Sequence, residues 1–236
     1  MLVRVTVFVL ALCWWTASLR AGTLSPETVL SRVEAFYREI RTLSGSFSQE
    51  VYWRKGYRVE VSGGKFWFKK TNLLRWEYRY PERILIVSDG RRVYYYSEED
   101  RQVLILSPEK AFSRVMLAVI SGKARLSEEF ELISGTPGEN DFYFLELKPQ
   151  NDSSVSRLKL KVRVSTGEIK ELWFWDPLGN LTHMTLENLR INPKIDKTRF
   201  AFRIPKGVEV IDETRRGERD GKGAASGRNT ETRPGP

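Results

Sequence analysis

Leu74-Arg75-Trp76-Glu77-Tyr78-Arg79-Tyr80 alternates without a fault, large apolar side chains at one parity and charges at the other. A period of two with one greasy and one charged face is the pattern of an antiparallel strand wet on one side. Arg157 to Val164 repeats it, with Leu158, Leu160, Val162 and Val164 on one face and Arg157, Lys159, Lys161 and Arg163 on the other. From Phe47 onward this period dominates. Turn chemistry punctuates it at Gly63-Gly64, Asp89-Gly90, Ser97 to Asp100, Gly135 to Asp141, Thr166-Gly167 and Asp176 to Asn180. The spacing predicts about ten or eleven strands between residues 46 and 211.

Two stretches follow the helical period instead. Ser25-Pro26-Glu27 offers an N-cap, a first-turn proline and an acid at the positive end of the helix dipole. Val29, Val33, Phe36 and Ile40 then recur at spacings of three and four, with the helix ending near Arg41. A second helix starts at Pro108 and carries Phe112, Val115, Met116, Val119 and Ile120 up to Gly122. With no βαβ rhythm, the chain reads as mainly β: a long antiparallel sheet that must curl and cover its apolar face with its few helices.

The 236 residues are 41% hydrophobic and 29% charged, which excludes a disordered or collagenous chain. The net charge of +9 is not concentrated on the sheet. Residues 1–21 carry Arg4 and Arg20 with no acid, and residues 213–236 carry six Lys/Arg against four acids, so +2 lies at each end. The remaining +5 is ordinary for a protein surface. One cysteine, Cys13, and one histidine, His183, exclude a structural zinc site, a Cys/His nucleophile pair and a disulfide framework.

Residues 1–21 read as a secretory signal: Arg4, an apolar run from Val5 to Trp15, then small residues to Ala21. The run is too short for a bilayer span. Residues 22–212 form the expected domain, and residues 213–236, nearly devoid of apolar side chains, a disordered charged tail.

No catalytic signature emerges. His183 sits in a strand-like Leu181 to Leu186 segment without a nucleophile partner, and reads as a half-exposed strand residue. Glu77, Glu131, Glu146, Glu171 and Glu187 alternate with apolar neighbours and read as solvent-facing. Gly45-Ser46 and Ser62-Gly63-Gly64 read as turns, not as a nucleophile elbow or a phosphate loop. Arg91-Arg92-Val93-Tyr94-Tyr95-Tyr96 has the cation and aromatic content of a base-stacking strand, but follows an Asp-Gly turn and belongs to a secreted chain. What stands out is large apolar surface on a sheet with few helices to cover it, as a cavity for an apolar ligand requires.

Three segments together resemble the periplasmic lipoprotein carrier (LolA) family. They are Leu43 to Gln49; Gly64 to Glu77, continuing through Pro81, Ile86 to Gly90 and Val93 to Tyr96; and Phe200 to Ile211, with its Phe-x-Phe, Pro and Gly-Val. The resemblance spans residues 25–212. It implies a half-open antiparallel β-barrel whose apolar concave face is lidded by helices. It also implies a periplasmic chaperone for acylated lipoproteins, with no cofactor and no covalent chemistry. The partners implied are an inner-membrane lipoprotein-releasing ABC transporter and an outer-membrane lipoprotein acceptor, with no nucleic acid and a monomeric carrier.

On that resemblance the acyl-chain groove is expected to be lined by Phe66, Phe68, Leu74, Trp76 and Tyr78 from the sheet. Val33, Phe36, Ile40, Met116 and Val119 are the expected lining from the helices. Where the family often carries Arg-Pro as a lid latch, this chain has Lys70-Thr71, so Lys70 is the expected latch, without the planar fork of arginine. The competing readings are a lipid-sensing or receptor domain of the same fold and, further off, a secreted hydrolase. An outer-membrane barrel would force Arg75, Glu77 and Arg79 to line a pore.

Overall fold

The computed structural model describes residues 24–55, 58–70, 72–111, 125–151 and 154–214. The signal-like segment with Cys13, the run from Phe112 to Gly122 with Met116 and Val119, Thr71, and the tail beyond residue 214 lie outside the described residues.

Helix α1 spans Pro26–Glu39. The Ser25 hydroxyl caps it by accepting from the Thr28 backbone N–H at 3.2 Å, and Ile40, in extended conformation, ends it. Its buried stripe is Val29, Leu30, Val33 and Tyr37, the face predicted by the 3.6-residue period.

The strands are β1 Thr42–Trp53, β2 Arg58–Lys69, β3 Leu73–Tyr80, β4 Ile84–Asp89, β5 Val93–Ser97 and β6 Gln102–Leu106. A helical turn at Pro108–Ala111 and a short helix at Leu126–Glu129 precede β7 Phe130–Pro137. Then come β8 Phe142–Pro149, β9 Arg157–Arg163, β10 Glu168–Trp175, β11 Leu181–Ile191 and β12 Glu209–Asp212. All twelve form one sheet in the order β12-β6-β5-β4-β3-β2-β1-β11-β10-β9-β8-β7. The sheet is curved and open, because its edge strands β7 and β12 do not meet. The mainly-β sheet with helical cover is the one the alternation implied, and its half-open form the one the family resemblance implied. No described helix is long and apolar enough to cross a membrane.

Long β1 is the spine. It pairs with β2 on one side and β11 on the other, joining a β2–β6 wing to a β7–β11 wing. The last strand, β12, is the exception to antiparallel order, pairing in parallel with β6 from Glu209↔Gln102 to Asp212↔Ile105.

Two predicted turns are not turns: Gly45-Ser46 lies inside β1 and Gly63-Gly64 inside β2. The turn predicted from Gly135 to Asp141 is present but begins at Gly138, since Gly135 to Pro137 still belong to β7. Within β1 and β2 the glycines serve close approach instead of chain reversal. The β2–β3 register shifts between Gly63 and Gly64, and a Cβ on Gly64 would overlap the Glu77 carbonyl oxygen. Gly167, at φ +83°, does make the predicted β9–β10 turn, and that turn abuts the Arg32 carbonyl of α1.

Register assigns the faces. Opposite pairs Phe66↔Trp76, Trp76↔Ile86 and Ile86↔Tyr95 share one face, called inner here because it continues the face that packs on α1. The outer face of the β2–β6 wing is not simply wet. The 3-10 turn Lys197–Phe200 folds back over β3 and β4, and Val87, Val103, Ile105 and Phe200 are buried. Phe202 packs on Tyr94 and Tyr96 at 5.3 and 6.0 Å, and Arg199 lies 4.8 Å from the Trp67 ring.

Candidate functional site: an apolar trough under helix α1

The inner face is one continuous apolar cluster across both wings. In the β7–β11 wing Leu145, Leu147, Leu158, Leu160, Val162, Ile169, Met184 and Leu186 pack with Val29, Leu30, Val33, Tyr37 and Ile40. In the β1–β3 region Phe47, Phe66, Phe68, Leu74 and Trp76 continue it, each at most 5% exposed. The Trp76 indole is sandwiched in an aromatic group, its ring 4.5 Å from Phe47 and stacked at 5.0 Å on Phe66. Tyr78 meets Phe47 edge-on at 5.0 Å.

The structure brings together every predicted lining residue it describes. Val33, Ile40, Phe66, Phe68, Leu74 and Trp76 belong to the buried cluster, and Phe36 and Tyr78 pack against it half-buried. Met116 and Val119 fall outside the described residues.

Much of this surface is already packed. Open room lies at one end of the β2–β5 region, in a cleft of about 550 Å³ lined by Gln49, Val51, Tyr78, Ile84, Ile86 and Tyr95, among others. Val59, Val61, Tyr80 and Tyr95 stand exposed around it, an apolar rim of the kind that marks a binding surface. Ile84, Ile86, Gln49, Val51 and Tyr95 were not among the expected lining residues. Ile84-Leu85-Ile86-Val87 is apolar at both parities, so alternation names no inner face there.

The cleft lining also includes Arg58, Glu60 and Glu82; deeper in the aromatic group polar atoms are few. The Tyr78 hydroxyl donates to Gln49 Oε1 at 3.2 Å. Burial pushes the Tyr78 phenol up to about 12, with the neighbouring Trp76 N–H pulling weakly the other way. The approach of that indole N–H to Tyr78 falls short of a formed hydrogen bond. Trp76 Nε1 is the one fully buried side-chain nitrogen or oxygen without a partner among the described residues.

Helix α1 is fastened at its ends by hydrogen bonds near solvent. Lys70, directly after β2, donates from Nζ to the Arg38 carbonyl in the last turn at 2.8 Å. Its own backbone N–H donates to Arg41 O at 2.7 Å. Asn192 reaches across from the end of β11. Its Oδ1 accepts from Arg41 N at 2.7 Å, and its Nδ2 donates to Glu39 O at 3.4 Å. Arg32 donates to Val164 O at 3.0 Å, and Glu34 accepts from the Ser127 amide and hydroxyl at 2.8 and 2.9 Å. Asn192, at φ 54°, has no local sequence signal for this role, since its contacts lie some 150 positions away.

The outer face of the β8–β11 region holds a separate charged array. His183 Nε2 lies 2.9 Å from Glu171 Oε2, and Lys161 Nζ lies 2.7 Å from Glu171 Oε1. The His183 ring stacks on Trp173 at 4.6 Å. Partial burial pushes the Glu171 carboxyl up, but hydrogen bonds from Lys161 and His183 outweigh it and hold the group below the ordinary glutamate range. A carboxyl depressed in the folded state contributes stability above its unfolded value, roughly 4.3, and loses that contribution as pH falls through the folded value. Urea melts between pH 6 and 3 are therefore expected to show a shallower acid loss for Glu171→Gln than for the wild type. Identical pH slopes would mean that the array is too solvated to matter. Among the described residues no group of three or more His, Cys, Asp or Glu is arranged to hold a metal ion.

Comparison with known proteins places this geometry. Residues 38–203 match the family described as outer membrane lipoprotein carrier protein LolA. The chain is 31% identical over 206 residues to the outer-membrane lipoprotein carrier protein of Alkalilimnicola ehrlichii, covering 86% of this chain and 92% of that one. It is 30% identical to the protein of the same name from Methylococcus capsulatus, covering 86% and 94%. Among solved structures, an uncharacterized conserved protein from Thermus thermophilus superposes with a TM-score of 0.51 at 14% identity, covering 79% of this chain and 98% of that one.

Proposed function

Because the chain belongs to the LolA family of outer membrane lipoprotein carrier proteins, we propose that it is a periplasmic chaperone. It takes up the acyl chains of lipoproteins leaving the inner membrane and delivers them to an outer-membrane acceptor. The observation that carries this reading is the continuous apolar inner face, covered in the β7–β11 wing by a helix tied down mainly by solvent-side hydrogen bonds and open in the β2–β5 region as a cleft.

The energetics suit carriage. Each methylene moved out of water contributes about 0.8 kcal/mol, so a long acyl chain in a fully apolar site gains on the order of 10 kcal/mol. Such a gain keeps cargo bound during transit but would resist release. Helix α1 offsets part of it, because Val29, Val33 and Tyr37 occupy the trough themselves and must be displaced or shifted by the guest. When the guest leaves, these side chains reseal the face, so the affinity is the difference between two ways of covering the same surface. The carrier performs no covalent step in this scheme. An inner-membrane ABC transporter supplies the cargo, and a receptor at the outer membrane accepts it.

Lys70 is the latch in this reading. Its Nζ–Arg38 hydrogen bond is near the surface, where a net contribution of about 1 kcal/mol is expected. Lys70→Met is expected to raise amide exchange across residues 26–39 about fivefold while leaving exchange in β9 unchanged. Unaltered exchange in the helix would remove Lys70 from the latch role.

The function itself is tested by isolating the protein from a periplasmic extract without detergent and recording its native mass spectrum. Adducts whose masses match acylated lipoproteins are expected. A protein that repeatedly emerges bare, or with water-soluble ligands, contradicts the proposal.

A further inference from the structure

Trp76 Nε1 is a fully buried donor that completes no hydrogen bond, although the Tyr78 oxygen is near enough to feel it. Folded proteins rarely leave such a group orphaned, because it forfeits its hydrogen bond to water and gains none in return. The surroundings do not invite a water molecule: the Phe47 and Phe66 rings flank the indole, and Trp76 is 4% exposed. The residues beside it, however, open onto the cleft. Tyr78, two positions along β3 on the same face, and Ile86, directly opposite Trp76 on β4, both line the cleft. The Tyr78 hydroxyl is committed as a donor to Gln49, which leaves its oxygen lone pairs free. The trough thus holds a small polar spot, one N–H without a formed hydrogen bond beside a Tyr–Gln pair, set among the Phe47, Phe66 and Ile86 side chains.

A saturated acyl chain has one polar feature, the carbonyl at its head. We propose that Trp76 Nε1 donates a hydrogen bond to that carbonyl oxygen, whether ester or amide. The carrier would thereby recognise acyl linkages as such, and not hydrocarbon alone. This rests on the carrier reading above and names the ligand atom that its groove selects. The chemistry also sets what is disfavoured. An alkyl ether presents no carbonyl and leaves the donor orphaned. A hydrogen bond of this kind also fixes how far the chain slides along the trough, because the head is pinned near Trp76 while the tail runs beneath α1.

The test compares full-length mature protein binding two lipopeptides of equal chain length, one with ester-linked and one with ether-linked hexadecyl chains on the same glyceryl-cysteine head. Wild type is expected to bind the ester form about tenfold tighter. Trp76→Phe, and a variant carrying benzothienylalanine at position 76 to keep the bicyclic shape without the N–H, are expected to bind both lipopeptides with the wild-type affinity for the ether. A third lipopeptide, acylated only through its amide nitrogen, identifies which carbonyl the indole meets. Loss of affinity on substitution for the ester peptide alone assigns the ester, and for the amide peptide alone assigns the amide. Equal wild-type affinity for ester and ether together with an amide peptide indifferent to both substitutions, or discrimination that survives both substitutions, overturns the proposal while leaving the carrier reading standing. Failure of the wild type to bind any of the three overturns both.

Discussion

Ile86→Asp is expected to cost at least 100-fold in lipoprotein affinity while the protein remains folded. Ile86 lies in the cleft wall, opposite Trp76 on one side and Tyr95 on the other, and is only partly buried. In the empty protein an aspartate there is hydrated through the open cleft, so the expected loss of stability is about 1–2 kcal/mol. With an acyl chain seated against it, the same carboxylate is stripped of water and has no partner. The penalty then is several kcal/mol, and about 3 kcal/mol of it already gives the 100-fold loss. Ile86→Leu, which keeps hydrocarbon in place, is expected to bind within about threefold of wild type. The choice of site matters. Trp76→Asp buries its charge with or without cargo, because the indole is packed between Phe47 and Phe66, and is expected to unfold the sheet before binding can be measured. Equal binding by Ile86→Asp and wild type would place the acyl chains elsewhere.

Gly64→Ala is expected to be the most destabilising single-methyl addition in the sheet. Gly64 sits opposite Phe47 in β1 and Tyr78 in β3, at the register shift of the β2–β3 pair. The added Cβ meets backbone, the Glu77 carbonyl, and not a side chain that can rotate away. The two strands must part or the shift must move, and either disturbs the rows that align Phe66 with Trp76. A loss of about 3 kcal/mol or more is expected, roughly 8 °C in melting temperature for a domain of this size. Ser62→Ala in the same strand is expected to stay within about 0.5 kcal/mol. A Gly64→Ala protein that melts with the wild type would show the register shift to be soft.

The alternating segments β3 and β9 announced both their strand character and their buried face, because large apolar side chains and charges strictly exchange places there. β2 did not. Phe66, Trp67 and Phe68 are aromatic at both parities, and Gly63-Gly64 imitates a turn, so only pairing with β1 and β3 reveals that Phe66 and Phe68 point inward while Trp67 meets Arg199 outside. The fold-back of residues 197–202 and the parallel pairing of β12 with β6 are long-range events with no local period. The site divides similarly. Bulky aromatics on a thinly covered sheet pointed to an apolar cavity, and family resemblance pointed to Lys70. The cleft wall of Ile84, Ile86 and Tyr95, the Asn192 tether and the orphaned Trp76 donor are products of strands brought together, and single-chain patterning carries no trace of them.

The central claim is that acyl chains lie on the inner face of the sheet. A photoreactive benzoylphenylalanine placed at Ile86, on the inner face, or at Thr185, on the outer face beside Glu171, tests it directly. After illumination of the lipoprotein complex and proteolysis, mass spectrometry is expected to find cross-links to acyl carbons from position 86 and none from position 185. Acyl cross-links from position 185, with position 86 silent, would contradict the account.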